Sequence, residues 1–360
     1  MQAIVSGALF RKQVERYTRF IPSKSTTPAS TMVQITAVDG RLDMMGSDAA
    51  MEVRSQISAN VQTPGQVAVA AHDLARVLKV ISSENLTLKI KDQKLNIVAG
   101  RSDYKIPVSD VTIPSIPLQE AKDFLELPKE TLIQAIQGVL FAIAKDDNRY
   151  GLNGGYWDTS NQKSISLVGT DGNRMSLTTL SDLEAKCTLA PNTLFPRRLL
   201  EFLLSALEGD TVKISILNRA AKIECGSTVI VARLLEAAFP TYKEVLPKTH
   251  KLQIKIKAAT LTEAIRRVAV VGEGTIRLDI RDGGVVLTAR KLDFGDAREE
   301  VDCETTGSMT LGVNGTFLTD ALRTFGDGEL DIKFGDTLSP IILSSASSPN
   351  FHVVMPVRLD

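Results

Sequence analysis

The side chains best suited to chemistry lie between Lys145 and Arg174. They fall in two segments, Lys-Asp-Asp-Asn-Arg-Tyr (145–150) and Thr-Asp-Gly-Asn-Arg (170–174). An Asp beside a Gly turn, a nearby Arg and the adjacent acids Asp146 and Asp147 are groups that a hydrolase or transferase would use. Such an enzyme also needs a nucleophile with a His and an acid, a second carboxylate at working distance, or a Gly-rich phosphate loop. None occurs at a usable spacing. The three histidines, His72, His250 and His352, stand alone. The three cysteines, Cys187, Cys225 and Cys303, are far apart and form no C-x-x-C pair. Neither a metal site nor a disulfide framework is expected, and the cysteine usage suits a reducing, cytoplasmic setting. Thr170–Arg174 reads more economically as a hairpin turn closed by Asp171. The expectation is a protein without catalytic residues, cofactor or metal.

The elements that carry these segments repeat. Apolar residues at i, i+3, i+4 and i+7 mark a helix with one buried stripe. Leu74-Val77-Leu78-Ile81 fits, as do Leu132-Ala135-Ile136-Val139, Leu199-Phe202-Leu203-Ala206, Leu261-Ala264-Ile265-Val268 and Leu318-Ala321-Leu322-Phe325. A looser copy starts at Phe10, with Val14 and Tyr17 but Gln13 in the second place. One helix thus recurs about every sixty residues, six times in 360. Between helices the period changes to two, as in Leu86-Leu88-Ile90, Val212-Ile214-Ile216 and Leu330-Ile332-Phe334, the mark of half-buried antiparallel strands. Asp-Gly or Gly-Asp pairs punctuate the turns.

The repeating unit is therefore a short strand, a helix and about three more strands. Two units make a domain, and three domains are expected: 1–120, 121–247 and 248–360. The predicted class is α+β, each domain having two helices packed on antiparallel sheet. The boundaries fall in the proline-bearing stretches 107–118 and 239–247, too short and stiff for floppy linkers. Hydrophobic residues at 43% and charged residues at 23% allow a packed core and disfavour disorder. No signal peptide or membrane-spanning run is read.

Charge is distributed unevenly. Lys+Arg and Asp+Glu are equal at 42 each. The helices, predicted over 7–20, 72–81, 128–145, 196–208, 258–271 and 315–325, hold thirteen cations against seven anions, and the remainder is acidic to the same degree. If all six helices share one side of the sheet, that side attracts a polyanion through its phosphates without reading sequence. A repeat scaffold that binds proteins alone would not need this division.

Four segments carry a resemblance to a known family: 145–159 (KDDNRYGLNGGYWDT), 167–177 (LVGTDGNRMSL), 239–247 (FPTYKEVLP) and 353–359 (VVMPVRL). In this order on a threefold repeat, the chain resembles the bacterial DNA polymerase sliding clamp, the beta subunit of the replicative polymerase. The likeness spans essentially the whole length. It implies a DNA clamp fold, a head-to-tail ring homodimer around double-stranded DNA, and recruitment of the polymerase, the clamp loader, other polymerases and repair proteins. It also implies residues. Lys24, His72, Arg149, Tyr150, Arg197 and Arg198 would meet DNA. A hydrophobic pocket for short linear motifs would involve Leu152, Thr170, Gly172, Asn173, Arg174, Met175, Pro240, Val245, Leu338, Pro340, Val353, Val354, Met355, Pro356, Val357 and Arg358. Tyr104 and Ile106 in one subunit would face Val270 and Val271 in the other. The chain departs from the family at Gly151 and Asn173, where aromatic and His residues are common, at Glu244, where Arg is common, and in the added Asp360. Residues 46–53 (GSDAAMEV) resemble a degenerate copy of the Thr-Asp-Gly turn and imply that the turn has a scaffold role apart from binding.

Overall fold

The computed structural model describes residues 1–117, 124–146, 148–161, 164–181, 193–217, 219–247, 249–272, 274–293 and 295–359. Asp147, Cys187 and Asp360, all singled out in the sequence, lie outside the described residues.

One order of elements is written three times. The first third runs β1 (Gln2–Ser6), α1 (Gly7–Thr18), β2 (Met32–Val38), β3 (Arg41–Ser47), β4 (Met51–Thr63), β5 (Gly65–Ala70), α2 (Ala71–Val80), β6 (Asn85–Lys91), β7 (Lys94–Ala99) and β8 (Ser102–Pro107). The second repeats it as β9 (Leu125–Pro128), α3 (Lys129–Leu140), β10 (Gly154–Asp158), β11 (Ser164–Thr170), β12 (Arg174–Ser181), β13 (Thr193–Pro196), α4 (Arg197–Ala206), β14 (Thr211–Leu217), β15 (Ala220–Cys225) and β16 (Thr228–Arg233). The third adds a two-residue strand: β17 (Leu252–Lys257), α5 (Ala258–Ala269), β18 (Thr275–Arg281), β19 (Gly284–Lys291), β20 (Gly295–Asp302), β21 (Glu304–Thr305), β22 (Met309–Asn314), α6 (Gly315–Arg323), β23 (Glu329–Phe334), β24 (Ile341–Ser344) and β25 (Asn350–Val354).

The two periodicities account for the cores. Leu132, Ala135, Ile136 and Val139 are all fully buried, and Leu261, Ala264, Ile265 and Val268 nearly so. In β17, Leu252, Ile254 and Ile256 point inward while Lys255 and Lys257 face water. The last core gathers α5, α6 and the strands of the final third around Leu287, Leu322 and Leu330. Gln13, the misfit in the first stripe, is buried as well, and it accepts a hydrogen bond from Arg16 at 2.9 Å. The helices stop one to five residues short of the predicted C-termini. Arginines close two of those ends. Arg11 of α1 donates to the carbonyls of Leu78 in the last turn of α2 and of Ile81 just beyond it, and Arg197 of α4 donates to those of Leu140, the last residue of α3, and of Ile143 beyond it.

Compact packing divides the chain into two units that cut through the middle third. Of the described residues, the first comprises those within 1–132 and 201–234; the second comprises those within 133–181, 193–200 and 235–359. The first unit holds a sheet in the order β8-β7-β6-β1-β4-β16-β15-β14-β9, with β2, β3 and β5 attached to it through β4. Its β4 is thirteen residues long and serves three partners, β3 along Glu52–Ser58, β1 along Ala59–Thr63 and β16 along Met51–Ser55. The second unit holds a sheet in the order β13-β10-β11-β12-β25-β24-β23-β17-β21 and a four-stranded sheet, β20-β19-β18-β22. In it β12 of the middle third pairs with β25 of the last, Arg174 to Thr178 against Val354 to Asn350. Both junctions between thirds are thus continuous antiparallel ladders.

Candidate partner-binding groove

The Thr-Asp-Gly-Asn-Arg segment turns β11 into β12, and its polar atoms are consumed in doing so. Asp171 Oδ1 accepts from the backbone N–H groups of Asn173 and Arg174, both at 3.0 Å. Thr170 Oγ1 donates to the Arg174 carbonyl at 2.7 Å. Gly172 has φ +89°, a left-handed conformation that other residues adopt at a cost. Asp171 Oδ2 is held by Arg174 Nε at 2.9 Å. The carboxylate therefore closes a turn, as its spacing suggested, and is not poised as a base.

Arg174 is the hub beneath this turn. Its guanidinium also reaches Asp320 of α6 at 2.8 Å and lies over the rings of Phe317 (4.3 Å) and Phe141 (5.4 Å). Two carboxylates and two aromatic faces fix a cation that is largely removed from solvent. One residue on, Met175 lies opposite Val353 in the β12–β25 ladder, and both pack in a small apolar cluster with Val168 and Tyr242. The next pair is polar. His352 bonds Ser176 Oγ through Nδ1 and Thr324 Oγ1 through Nε2, each at 2.6 Å, with Phe141 and Phe325 edge-on to its ring. Ser176 Oγ itself donates to the Gly138 carbonyl. Burial holds His352 down to about 3, so this Ser–His contact is a neutral internal clamp.

Above Met175 and Val353 opens a cavity of about 250 Å³. Its wall comes from the 3₁₀ turn Tyr150–Leu152, the Thr170–Arg174 turn, the segment from Pro240 to Val245, and Met355. Gly151 lets that 3₁₀ turn approach the connecting segment: a Cβ there would lie 2.1 Å from the Ala238 carbonyl oxygen. A larger residue at 151 has no room in this arrangement. The connecting segment is pinned by Tyr242, whose hydroxyl donates to Asp158 Oδ2 at 2.5 Å, and by Lys243 on the same oxygen at 2.7 Å. Burial alone would raise the Asp158 carboxyl, but bonds from Lys243, Ser160 and Tyr242 outweigh it and hold the group well below its usual range. Burial, then Asp158, pushes the Tyr242 hydroxyl far up. The C-terminal strand leaves along Met355 N to Asn173 O (2.9 Å) and Val357 N to Gly312 O (2.9 Å).

The structure brings together Leu152, Thr170, Gly172, Asn173, Arg174, Met175, Pro240, Val245, Val353 and Met355 around this cavity. It does not bring Val354 there. Strand alternation turns Val354 into the core of the last third, because adjacent residues of β25 face opposite ways. Val357 follows the edge of β22, Leu338 lies exposed in the turn before β24, and Pro340, Pro356 and Arg358 do not line the cavity either. Two lining residues were not assigned to the pocket from sequence. Arg149, placed among the DNA contacts, lies on the rim, with its guanidinium nitrogens 3.1–3.2 Å from where a Cβ on Gly172 would be. Tyr242 was legible only as part of the Phe-Pro-Thr-Tyr string.

The other candidates divide by exposure. Lys24, Tyr150 and Arg198 are exposed, Tyr150 at 73%. His72 is half-buried, with Nε2 bonded to the Ile21 carbonyl at 2.8 Å, and Arg197 is turned onto α3. Those two side chains are engaged by carbonyls of their own chain. Of the subunit-contact candidates, Ile106 in the first unit and Val271 in the second are buried within their own chain, while Tyr104 is half-buried and Val270 is 72% exposed. Cys225 is buried and Cys303 half-buried; both are free, with thiols pushed up by burial. Among the described residues no group of three His, Cys, Asp or Glu could hold a metal, and no helix is long and apolar enough to cross a membrane.

Comparison with known proteins covers nearly the whole chain. Family models for the DNA polymerase III beta subunit match in tandem: the N-terminal domain over residues 1–117, the central domain over 126–241 and the C-terminal domain over 243–358. The chain is 25% identical to the beta sliding clamp of Caulobacter vibrioides over 373 aligned positions, covering 100% of both. It is 24% identical to that of Treponema pallidum, again covering 100% of each. Among solved structures it superposes on the beta subunit of Thermotoga maritima with a TM-score of 0.91 at 22% identity, covering 100% of both. A sliding clamp from Bartonella birtlesii bound to griselimycin gives 0.94, also at 22% identity and 100% coverage of each chain.

Proposed function

Because the chain belongs to the DNA polymerase III beta subunit family of sliding clamps, we propose that two copies close head to tail around duplex DNA and tether the replicative polymerase to it. The observation that carries this reading is the tandem of three clamp domains along essentially the full length. We place their limits at 1–120, 121–247 and 248–360. The ring acts by topology, in the cytoplasm and without catalysis. Its DNA contacts need only be weak and sequence-independent, which suits exposed helix cations such as Lys12, Arg19, Arg76, Arg198, Arg266, Arg267 and Arg323. Lys24, Arg149 and Tyr150 add to that surface.

Two sheet edges support closure. Among the described residues β8 pairs only with β7, and β20 only with β19. Such edges are satisfied by pairing with another strand, and Tyr104 on β8 and the exposed Val270 beyond α5 supply apolar contacts beside them. The groove floored by Met175 and Val353 receives short linear motifs from the polymerase, the clamp loader, other polymerases and repair proteins in turn, an apolar slot with a Met rim accepting varied anchors.

Retention on DNA is the test. Loaded on nicked circular duplex, the protein should stay bound through gel filtration at high salt. It should be lost when the circle is cut once. Equal retention on both forms would overturn encirclement.

A further inference from the structure

The groove has a neighbour on the far side of the connecting segment. A cleft of about 510 Å³ lies there, and the two cavities share Pro240 and Tyr242. Three rings line it. Tyr156 and Phe239 stack at 4.8 Å with their planes 5° apart, and Tyr242 stands edge-on to both at 6.4 Å. Its charged residues are Asp158, Lys243 and Glu244. Lys243 is held 2.7 Å from Asp158, so those two charges offset each other. Glu244 is exposed, and its hydrogen bond among the described residues comes from Thr241 Oγ1 at 3.2 Å. The cleft thus presents aromatic surface with one carboxylate in excess.

That combination fits a guanidinium, a planar cation that stacks on rings and bonds a carboxylate at its edge. We propose that the cleft is a second subsite of the partner-peptide surface and takes an arginine flanking the apolar anchor seated in the groove. Continuity supports this occupant: a chain leaving the groove over Pro240 enters the cleft directly. So does charge, since Glu244 is the carboxylate that Lys243 leaves in excess. The proposal rests on the groove being the peptide site.

The test uses synthetic peptides that share a leucine–phenylalanine anchor. Arginine, alanine or glutamate is placed in turn at each of three positions on either side, and affinity for the full chain is measured by titration calorimetry. At one or more positions arginine should bind about tenfold more tightly than alanine, and glutamate more weakly than alanine, with the difference shrinking as salt rises. Glu244→Gln should bring the arginine and alanine peptides level, and Glu244→Lys should reverse the order. If anchored peptides bind equally whatever flanks them, the cleft is not a subsite and the groove reading survives. An arginine preference that persists unchanged in Glu244→Gln places the cation elsewhere and also overturns the proposal. If no anchored peptide binds, both readings fall.

Discussion

The two junctions between thirds are one piece of structure built twice, and they end differently. At the first, β4 pairs with β16; at the second, β12 pairs with β25. Each begins with an Asp that accepts two backbone N–H groups: Asp48 from Ala50 and Met51, Asp171 from Asn173 and Arg174. Beyond that turn the residues diverge. Where Met175 floors the groove, the first junction has Glu52, fully buried, which accepts from Arg54 and from the Ile116 backbone N–H at 2.6 Å. Where Ser176 meets His352, it has Val53 against Ile230. Where Phe239-Pro240-Thr241-Tyr242 overhangs a cavity, Ile113-Pro114-Ser115-Ile116 lies with Ile116 packed on Ala220 and Val231. The shared turn is scaffold. A site arises only where the floor is apolar and the overhanging segment is held by its own partners, as Tyr242 is by Asp158.

The strongest blow to this contrast falls on Glu52. Glu52→Ala leaves the Ile116 N–H without its acceptor and a void behind it, and should cost about 3 kcal/mol in urea denaturation. A loss under about 1 kcal/mol would mean that the first junction does not depend on that carboxylate. The second junction should instead be sensitive to acid. His352 titrates near 3 in the fold against about 6.5 unfolded, so the unfolded chain takes up the proton first. The stability from a neutral His352 is intact above about pH 6.5 and is lost as pH falls towards 3, amounting to about 3 kcal/mol by pH 4. Asp158, held below its ordinary 3.8, contributes its loss only at lower pH. His352→Phe should flatten the slope between pH 6.5 and 4, read as urea midpoints across that range; an unchanged slope would assign the acid sensitivity to other groups. The smallest effects test the shared turn. Gly172→Ala forces a side chain into φ +89° against Arg149 and should cost about 1 kcal/mol, whereas Ala49→Gly, at φ +72°, should gain about 0.5 kcal/mol. Opposite signs in thermal unfolding would sharpen the equivalence of the two turns.

Much of this was legible in the sequence because burial imposes a period. The helix stripes and strand alternations located α1 to α6 and the strands named from them, since each element buries one face. The likeness to clamps located the groove turn and the connecting segment. Alternation within β25 separates Val353 from Val354, yet a string of apolar residues does not say which one faces the groove. The charge of a helix also does not say where its arginines point. Arg11 and Arg197 close helix ends, and Arg16 is buried, 2.5 Å from Glu208. The basic surface is therefore smaller than the count of helix cations implies. The Glu52–Ile116 tie and the Arg174–Asp320 pair join residues 64 and 146 positions apart, with no local pattern to announce them.

The length of β4 limits how a ring could open. A ladder tolerates twisting but not swinging, because a hinge at its middle would break rungs on both sides at once. With one strand paired to both β1 and β16, the first and middle thirds are joined by ladder and have no door at β4. In the proposed ring of two copies, a gate would then be sought where strands of different copies meet.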